Sequence, residues 1–321
     1  MLGAVVRGGD ALVRQMGARA QLFVSSVLFG GLMTVAVRYA CRGPGGFSAG
    51  QVSMVRFAVG VLSCLALFEL RPGTYRPVRR DLLVTRGLLG GLAVVFYFMS
   101  ISRIGAGQAT LLNNTHPVFA TLIAIGALGE RPTWKLAAAL ALTALGVGVV
   151  LLSQGGGPTV AFGLGEAAGL LSAILGAGAV TSIRALRPTD NSPTIFFAFC
   201  LGGLAVSWPF ALGTWPRAPM FWLAALAVGI LAVGYQLLMT QALGFLKVPE
   251  AAVWQQMTPV ATYLWAALLL DERVSGLGAV GIALVIGGVA WGAGTAGRDA
   301  TPSRVQARRP LDPRREGEQS P

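Results

Sequence analysis

Two clusters of polar side chains have the chemistry to bind a solute. Each cluster lies inside a long apolar segment and directly precedes a proline, at Pro117 and at Pro259. Polar side chains in such segments are costly in lipid and tend to face a bundle interior or a watery cavity. An amide offers a donor and an acceptor together, which suits a polar or zwitterionic solute. The candidates are Asn113, Asn114 and His116 in the first cluster and Gln255 and Gln256 in the second.

The alternative role for these amides is hydrogen bonding between helices without a ligand. The two prolines predict a bend in each segment, because a proline removes one backbone donor and frees a carbonyl one turn earlier, near residues 113 and 255. That bend serves either gating or packing, since prolines are common in membrane helices.

Two side chains could handle charge inside the apolar segments. His116 is the only histidine of the chain. Its titration range makes it a candidate for proton coupling, and a neutral hydrogen-bonded group is the alternative. Arg56 either binds a substrate carboxylate or extends outward to anchor its segment at the membrane surface.

Two acid-base pairs, Glu130-Arg131 and Glu272-Arg273, lie at the ends of apolar segments. An ion pair at the membrane interface that fixes a helix turn explains such a position better than catalysis does. We therefore expect both pairs to be structural.

The same features occur twice in the sequence. A shift of 142 positions brings Ser100, Pro117 and Gly146 onto Ala242, Pro259 and Gly288 without a gap, and it superposes the two acid-base pairs as well. A proline followed by an acid-base pair at one spacing in two hydrophobic halves is typical of a membrane protein built from duplicated helices.

Composition supports a membrane protein. The 321 residues are 54% hydrophobic and only 12% charged, so the apolar surplus must face lipid. Segments of about 20 apolar residues are long enough to span the bilayer as helices. Ten such spans are expected, at 21–40, 49–69, 83–102, 107–128, 134–153, 165–186, 193–213, 219–243, 248–269 and 276–295.

Five spans in each half give the halves opposite orientations, so the sequence predicts an all-α integral membrane protein with two inverted five-helix repeats. The repeats occupy 21–153 and 165–296, joined by a linker at 154–164. Residues 1–20 form a cytoplasmic N-terminal segment. Residues 297–321 mix both charge signs with Pro, Ser and Gly, which predicts a disordered cytoplasmic tail.

The distribution of basic residues predicts that both termini are cytoplasmic. The cluster Arg71, Arg76, Arg79, Arg80 and Arg86 after the second span is the clearest signal for this orientation. The formal net charge of +12 then mostly reflects the basic residues that fix the orientation of the protein in the membrane. We expect residues 76–80 to contact anionic membrane lipid. Nucleic-acid binding is not expected, because no aromatic-interleaved basic platform is present.

In order and spacing, the residues resemble the EamA domain transporters of the drug/metabolite transporter (DMT) superfamily. The resemblance covers almost the whole membrane region and implies a ten-helix exporter or permease of small solutes in the plasma membrane, the inner membrane of a bacterial cell. It rests on Phe29-Gly30, Arg38, Arg56-Phe57, Pro117-Val118-Phe119, Gly129-Glu130-Arg131 and Gly146, and on Gly176, Arg184, Pro259-Val260, Asp271-Glu272-Arg273 and Gly287-Gly288.

The resemblance also implies that Tyr97, Tyr235 and Trp254 lie where the family builds a central cavity. Aromatic walls suit amphipathic or cationic solutes. Packing against lipid or a neighbouring helix is the alternative for each ring.

Two classes of function compete. The first is a secondary transporter, most simply an exporter of amino acids, related metabolites or amphipathic drugs by alternating access; a phosphate-binding loop for nucleotide hydrolysis is absent. The second is a membrane-embedded lipid-handling protein or enzyme. The chain has one histidine and few acidic residues inside the spans, which are too few groups for acid-base catalysis or metal binding. We therefore expect no enzyme activity and no cofactor. We expect the protein to be a monomer or a homodimer.

Overall fold

The computed structural model describes residues 22–43, 45–129, 133–153, 163–246, 248–270 and 276–296. Several expectations lie outside these ranges: the N-terminal segment, the pairs Glu130-Arg131 and Glu272-Arg273, most of the linker, and the C-terminal tail. Across the described ranges the regular structure is helical, with no strand. The helices are α1 (Leu22–Ala40), α2 (Ala49–Leu70), α3 (Arg80–Asn113), α4 (His116–Leu128), α5 (Trp134–Ser153), α6 (Leu164–Leu186), α7 (Ser192–Ser207), a 3-10 turn (Trp208–Phe210), α8 (Pro219–Ala242), α9 (Val248–Gln255), α10 (Met257–Leu270) and α11 (Gly276–Ala296).

Six helical stretches of 19 to 24 residues are long and apolar enough to cross a bilayer. They are α1, α2, the Arg80–Ile101 part of α3, α6, Ser192–Phe210 and α8, and shorter apolar helices accompany them. Their outer faces are apolar: on α8, for example, Leu223 is 69% and Ile230 64% exposed. Faces of this kind need lipid rather than water. The expectation of an all-helical, multi-pass membrane protein is confirmed.

The boundary expected between the third and fourth spans is wrong. Helix α3 continues from Arg80 through Asn113, and the chain breaks at Asn114 and Thr115 instead of at residues 103–106. The glycines near residue 105 weaken a helix by about 1 kcal/mol each relative to alanine, but they keep their backbone donors. Pro117 removes a donor altogether, so the interruption occurs one turn before it.

The ninth expected span has a matching interruption. Helix α9 ends at Gln255 and α10 begins at Met257, so the break falls at Gln256, three residues before Pro259. A shift of 142 positions carries the first break onto the second. Both breaks coincide with the polar clusters of the sequence.

Apolar packing brings the two breaks together in the middle of the bundle. Helix α3 packs along α6 and α7, α2 along α7 and α8, and α4 against α6 and α9. One buried cluster joins α1, α6 and α8 through Phe23, Ile183 and Met239. Another, containing Val52 and Val228, joins α2 and α8. These contacts hold the helices around a central space.

Helices α5 and α11 approach each other closely at two glycines. A Cβ atom on Gly146 would lie 2.8 Å from the Val285 nitrogen and 2.9 Å from the Gly281 oxygen. A Cβ atom on Gly288 would lie 2.6 Å from Cγ2 of Thr143. As residue number rises along α5, the contacted residue number on α11 falls, so the two helices run antiparallel at this contact.

Candidate functional site

A cavity of about 160 Å³ lies between the helices at the level of the two breaks. This volume is about ten times that needed to hold one water molecule. Helices α1 to α4 and α6 to α10 contribute to its wall. The polar lining residues are Thr34, Arg56, Arg86, Tyr97, Asn113, Asn114, His116, Ser172, Tyr235, Gln236, Gln255, Thr258 and Thr262.

Side chains of the break satisfy the carbonyls at the end of α3. Pro117 has no N–H to offer, and the Asn113 carbonyl accepts a hydrogen bond from Nδ1 of His116 at 2.9 Å. The Leu112 carbonyl accepts from Oγ1 of Thr115 at 2.6 Å. These two carbonyls are therefore paired, as the low dielectric of a membrane requires.

One hydrogen bond connects the two breaks. Nε2 of His116 lies 2.7 Å from Oε1 of Gln255, across 139 positions of sequence. Because the Asn113 carbonyl can only accept, Nδ1 of the ring carries a proton. A doubly protonated ring donates to Oε1 of Gln255, whereas a neutral ring needs the amide to turn and donate from its nitrogen. Proton uptake at His116 would thus be linked to the orientation of Gln255.

Two arginines reach the cavity from adjacent helices. Arg56 on α2 is 4% exposed and Arg86 on α3 is 3% exposed. The Arg86 guanidinium carbon lies 4.0 Å from the centroid of the Phe199 ring, and that of Arg56 lies 5.6 Å from the same centroid. Nη2 of Arg86 donates to Oε1 of Gln236 at 3.1 Å.

The structure brings together seven of the residues expected from sequence to bind a solute. Arg56, Tyr97, Asn113, Asn114, His116, Tyr235 and Gln255 all line the cavity, and so does Pro259. Pro117 is buried in the first turn of α4.

Two other expected residues lie apart from this wall. Trp254 packs against Phe23, with ring centroids 6.5 Å apart, within apolar clusters. Gln256 is fully buried, and neither polar atom of its amide finds a hydrogen-bond partner within the described ranges.

Sequence reasoning did not propose four polar residues of the wall, namely Thr34, Arg86, Ser172 and Gln236. Arg86 was counted with the cytoplasmic basic cluster, but the structure buries it in α3, where it meets Gln236. Its position inside an apolar segment, six residues after Arg80, was the available signal. Ser172, whose hydroxyl donates to the Ala93 carbonyl at 2.8 Å, carried no such signal.

The described residues contain no group of three His, Cys, Asp or Glu side chains that could hold a metal ion. The wall offers amides, hydroxyls, aromatic rings and guanidinium groups. Such groups can bind and orient a solute by hydrogen bonds and charge.

Comparison with known proteins agrees with this architecture. A solved crystal structure superposes with a TM-score of 0.73 at 22% sequence identity, covering 89% of this chain and 99% of that one, which is a likeness of fold. The pseudopaline exporter CntI of Pseudomonas aeruginosa is 25% identical over 240 residues, in strain UCBPP-PA14 and in strain PAO1. That alignment spans 74% of this chain and 84% of the exporter.

The model of the EamA-like transporter family matches the chain twice, over residues 19–152 and 163–292. The two matches fall on the two halves that the sequence repeat delimits. The recognition made from sequence motifs is therefore confirmed, and this chain belongs to the EamA-like transporter family.

Proposed function

We propose that this protein is a secondary transporter that exports small metabolites, amino acids and amphipathic drugs among them, by alternating access. The polar cavity at the junction of the two helix breaks is the observation that carries the proposal. A solute bound there would contact both halves of the sequence at once. Rocking of one half against the other would then open the cavity to each side of the plasma membrane in turn.

We further propose that the two halves form two inverted five-helix repeats, an arrangement that suits this mechanism. The two breaks occupy equivalent positions in the repeat, at residues 114 and 256. The contact between α5 and α11 is reciprocal, because Gly146 meets residues 281–285 while its repeat mate Gly288 meets residues 139–143. Reciprocal contacts are the mark of a two-fold axis, and antiparallel partners fit an axis in the membrane plane. With ten spans both termini would lie on the same side of the membrane, and the basic cluster after the second span favours the cytoplasmic side.

The hydrogen bond between His116 and Gln255 supplies a candidate link to a proton gradient. It crosses between the two halves at the cavity, and its donor changes with the protonation of the ring. We propose that protonation of His116 biases the cavity between its two orientations. The substrate residues are those of the wall, namely Arg56, Tyr97, Asn113, Asn114, Tyr235 and Gln255, and the protein acts as a monomer or a homodimer in contact with membrane lipid.

A lipid-handling protein or an enzyme without transport activity is the alternative. The cavity wall carries one histidine and no carboxylate among the described residues, which is a poor supply of groups for acid-base catalysis. The relative is named for the export of pseudopaline, which favours export as the direction of flux here as well.

Counterflow into proteoliposomes tests the proposal. Purified protein would be reconstituted with a panel of unlabelled metabolites inside, and uptake of each labelled counterpart would be measured with and without a pH gradient. We expect flux of at least one solute. We also expect Gln255→Leu to abolish that flux, because the change removes the amide that bridges the two breaks.

Gln241→Leu is the matched control, since it makes the same substitution at an exposed amide near the end of α8. Both variants should insert and purify normally. An absence of flux for the whole panel with correctly folded protein would contradict transport. Equal flux for Gln255→Leu and wild type would remove the bridge from the mechanism.

A further inference from the structure

The cavity wall holds two guanidinium groups and, within the described part of the chain, no carboxylate. We infer that Arg56 and Arg86 together bind the carboxylate of an organic anion, so that the transported solute is negatively charged. This inference rests on the proposed transport function and names the class of its substrate.

Both arginines are held at one aromatic ring. Their guanidinium carbons lie 4.0 Å (Arg86) and 5.6 Å (Arg56) from the centroid of Phe199, and Arg56 also lies 5.3 Å from the Phe57 centroid. A planar guanidinium stacks on an aromatic face and keeps its edge free for hydrogen bonds. The two side chains come from α2 and α3 and meet Phe199 on α7, so three helices fix the pair.

The hydrogen-bond donors of this pair are only partly satisfied. Nε of Arg86 is buried and has no hydrogen-bond partner among the described residues, although Nη2 donates to Gln236. Arg56 makes no hydrogen bond or ion pair within the same ranges, and its guanidinium carbon lies near the rings of Phe57 and Phe199. Gln236 is neutral, so it occupies one donor of Arg86 without balancing the charge.

Two charges buried without a counter-charge are expensive, because a low dielectric leaves the cost of desolvation uncompensated. The described acids are Glu69, Asp81, Glu166, Asp190 and Glu250, and none of them lines the cavity. A carboxylate entering from solution would supply the missing charge and accept hydrogen bonds from the guanidinium edges. The amides Asn113 and Gln255 would then contact the remaining polar groups of the solute.

Pairs of solutes with one shape and different charge test this inference. Butanoate and butanamide form one pair, and succinate and succinamide form another, since each acid carries carboxylate groups and its amide carries none. Binding to the full-length protein in detergent would be measured by thermal shift, and flux by counterflow in proteoliposomes. We expect the acid of at least one pair to bind about tenfold or more tightly than its amide, the difference that a charge-assisted hydrogen bond supports.

Arg56→Gln and Arg86→Gln should each remove most of this preference. Arg86→Lys keeps the positive charge but loses the planar guanidinium, so it should retain part of the preference for the acid. This variant replaces Arg86→Gln in the test if Arg86→Gln fails to fold. Arg80→Gln is the matched control, because it places the same substitution on the same helix at an exposed position and should leave the preference intact.

Equal or tighter binding of both amides by the wild-type protein would overturn the inference. The same holds if the acid preference survives Arg56→Gln and Arg86→Gln, if sodium chloride alone produces the whole thermal shift, or if none of the four probes binds or is transported. In each of these cases, counterflow of any other solute of the metabolite panel would leave the transport function standing.

Discussion

Replacing Gly146 by alanine tests the close approach of α5 and α11. The new Cβ atom would lie 2.8 Å from the Val285 nitrogen and 2.9 Å from the Gly281 oxygen, both backbone atoms that cannot turn aside. Ordinary contact distances are about 3.5 Å or more, so the helices must separate by about 0.7 Å at this point. A gap of that size forfeits roughly a quarter of the dispersion energy of the contacts around it.

The expected cost is therefore that of overpacking, about 1–3 kcal/mol. Gly148→Ala is the matched control, because Gly148 lies on the same helix and its added Cβ would meet nothing within 4 Å. Alanine there removes the helix penalty of glycine, which is worth up to about 1 kcal/mol. The two variants should differ in the apparent Tm by several degrees, at roughly 2–4 °C per kcal/mol for a medium-sized chain.

The assay is thermal unfolding in detergent, followed by the fraction of monodisperse protein on size exclusion after heating. Gly288→Ala should behave like Gly146→Ala, and the double variant should cost less than the two single changes together, because one separation of the helices relieves both contacts. If Gly146→Ala proved as stable as Gly148→Ala, helices α5 and α11 would not be in close contact at Gly146. The reciprocal contact that supports the two-fold arrangement would then not exist.

Three further outcomes are expected. His116→Gln should retain counterflow without a gradient but lose its response to a pH gradient, and a full response in this variant would remove the histidine from coupling. Gln256→Leu should raise the unfolding temperature, because it removes a buried amide that has no hydrogen-bond partner in the described structure. Leaving such a group unpaired costs about 1–3 kcal/mol. A lower unfolding temperature would mean that the amide is paired. Asp190→Ala should lower the free energy of unfolding by about 2–3 kcal/mol, measured in the same heating assay. The buried Asp190 carboxylate accepts hydrogen bonds from the Val78 nitrogen at 2.8 Å and from Thr189 Oγ1 at 2.6 Å, and the variant loses both. An unchanged midpoint would contradict this expectation.

Patterns within the chain were enough to predict the membrane class, the repeat and the position of most helices. Apolar length selects a spanning helix, because an unpaired backbone group in lipid is too costly for any other local structure. The clusters before Pro117 and Pro259 were visible for the same reason, as polar side chains are conspicuous in an apolar segment. The shared spacing of the two halves identified the family from residues alone.

Local patterns were less reliable where two local signals competed. Glycines near residue 105 suggested a boundary, and the proline at 117 decided where the helix breaks, because only proline removes a backbone donor. Arg86 illustrates the same limit. A basic residue near the start of a span can belong to the membrane surface or to the interior, and its place in the sequence does not separate the two.

The amino-acid sequence by itself determined which segments enter the membrane and which of them carry polar groups, because both follow from the transfer of side chains and backbone into lipid. Only the tertiary structure decided which polar groups meet. It joined His116 to Gln255, brought Arg56 and Arg86 to Phe199, and set Trp254 and Gln256 apart from the cavity. These outcomes depend on how each helix is rotated and packed against its neighbours, and that rotation is fixed by contacts between residues far apart in the chain.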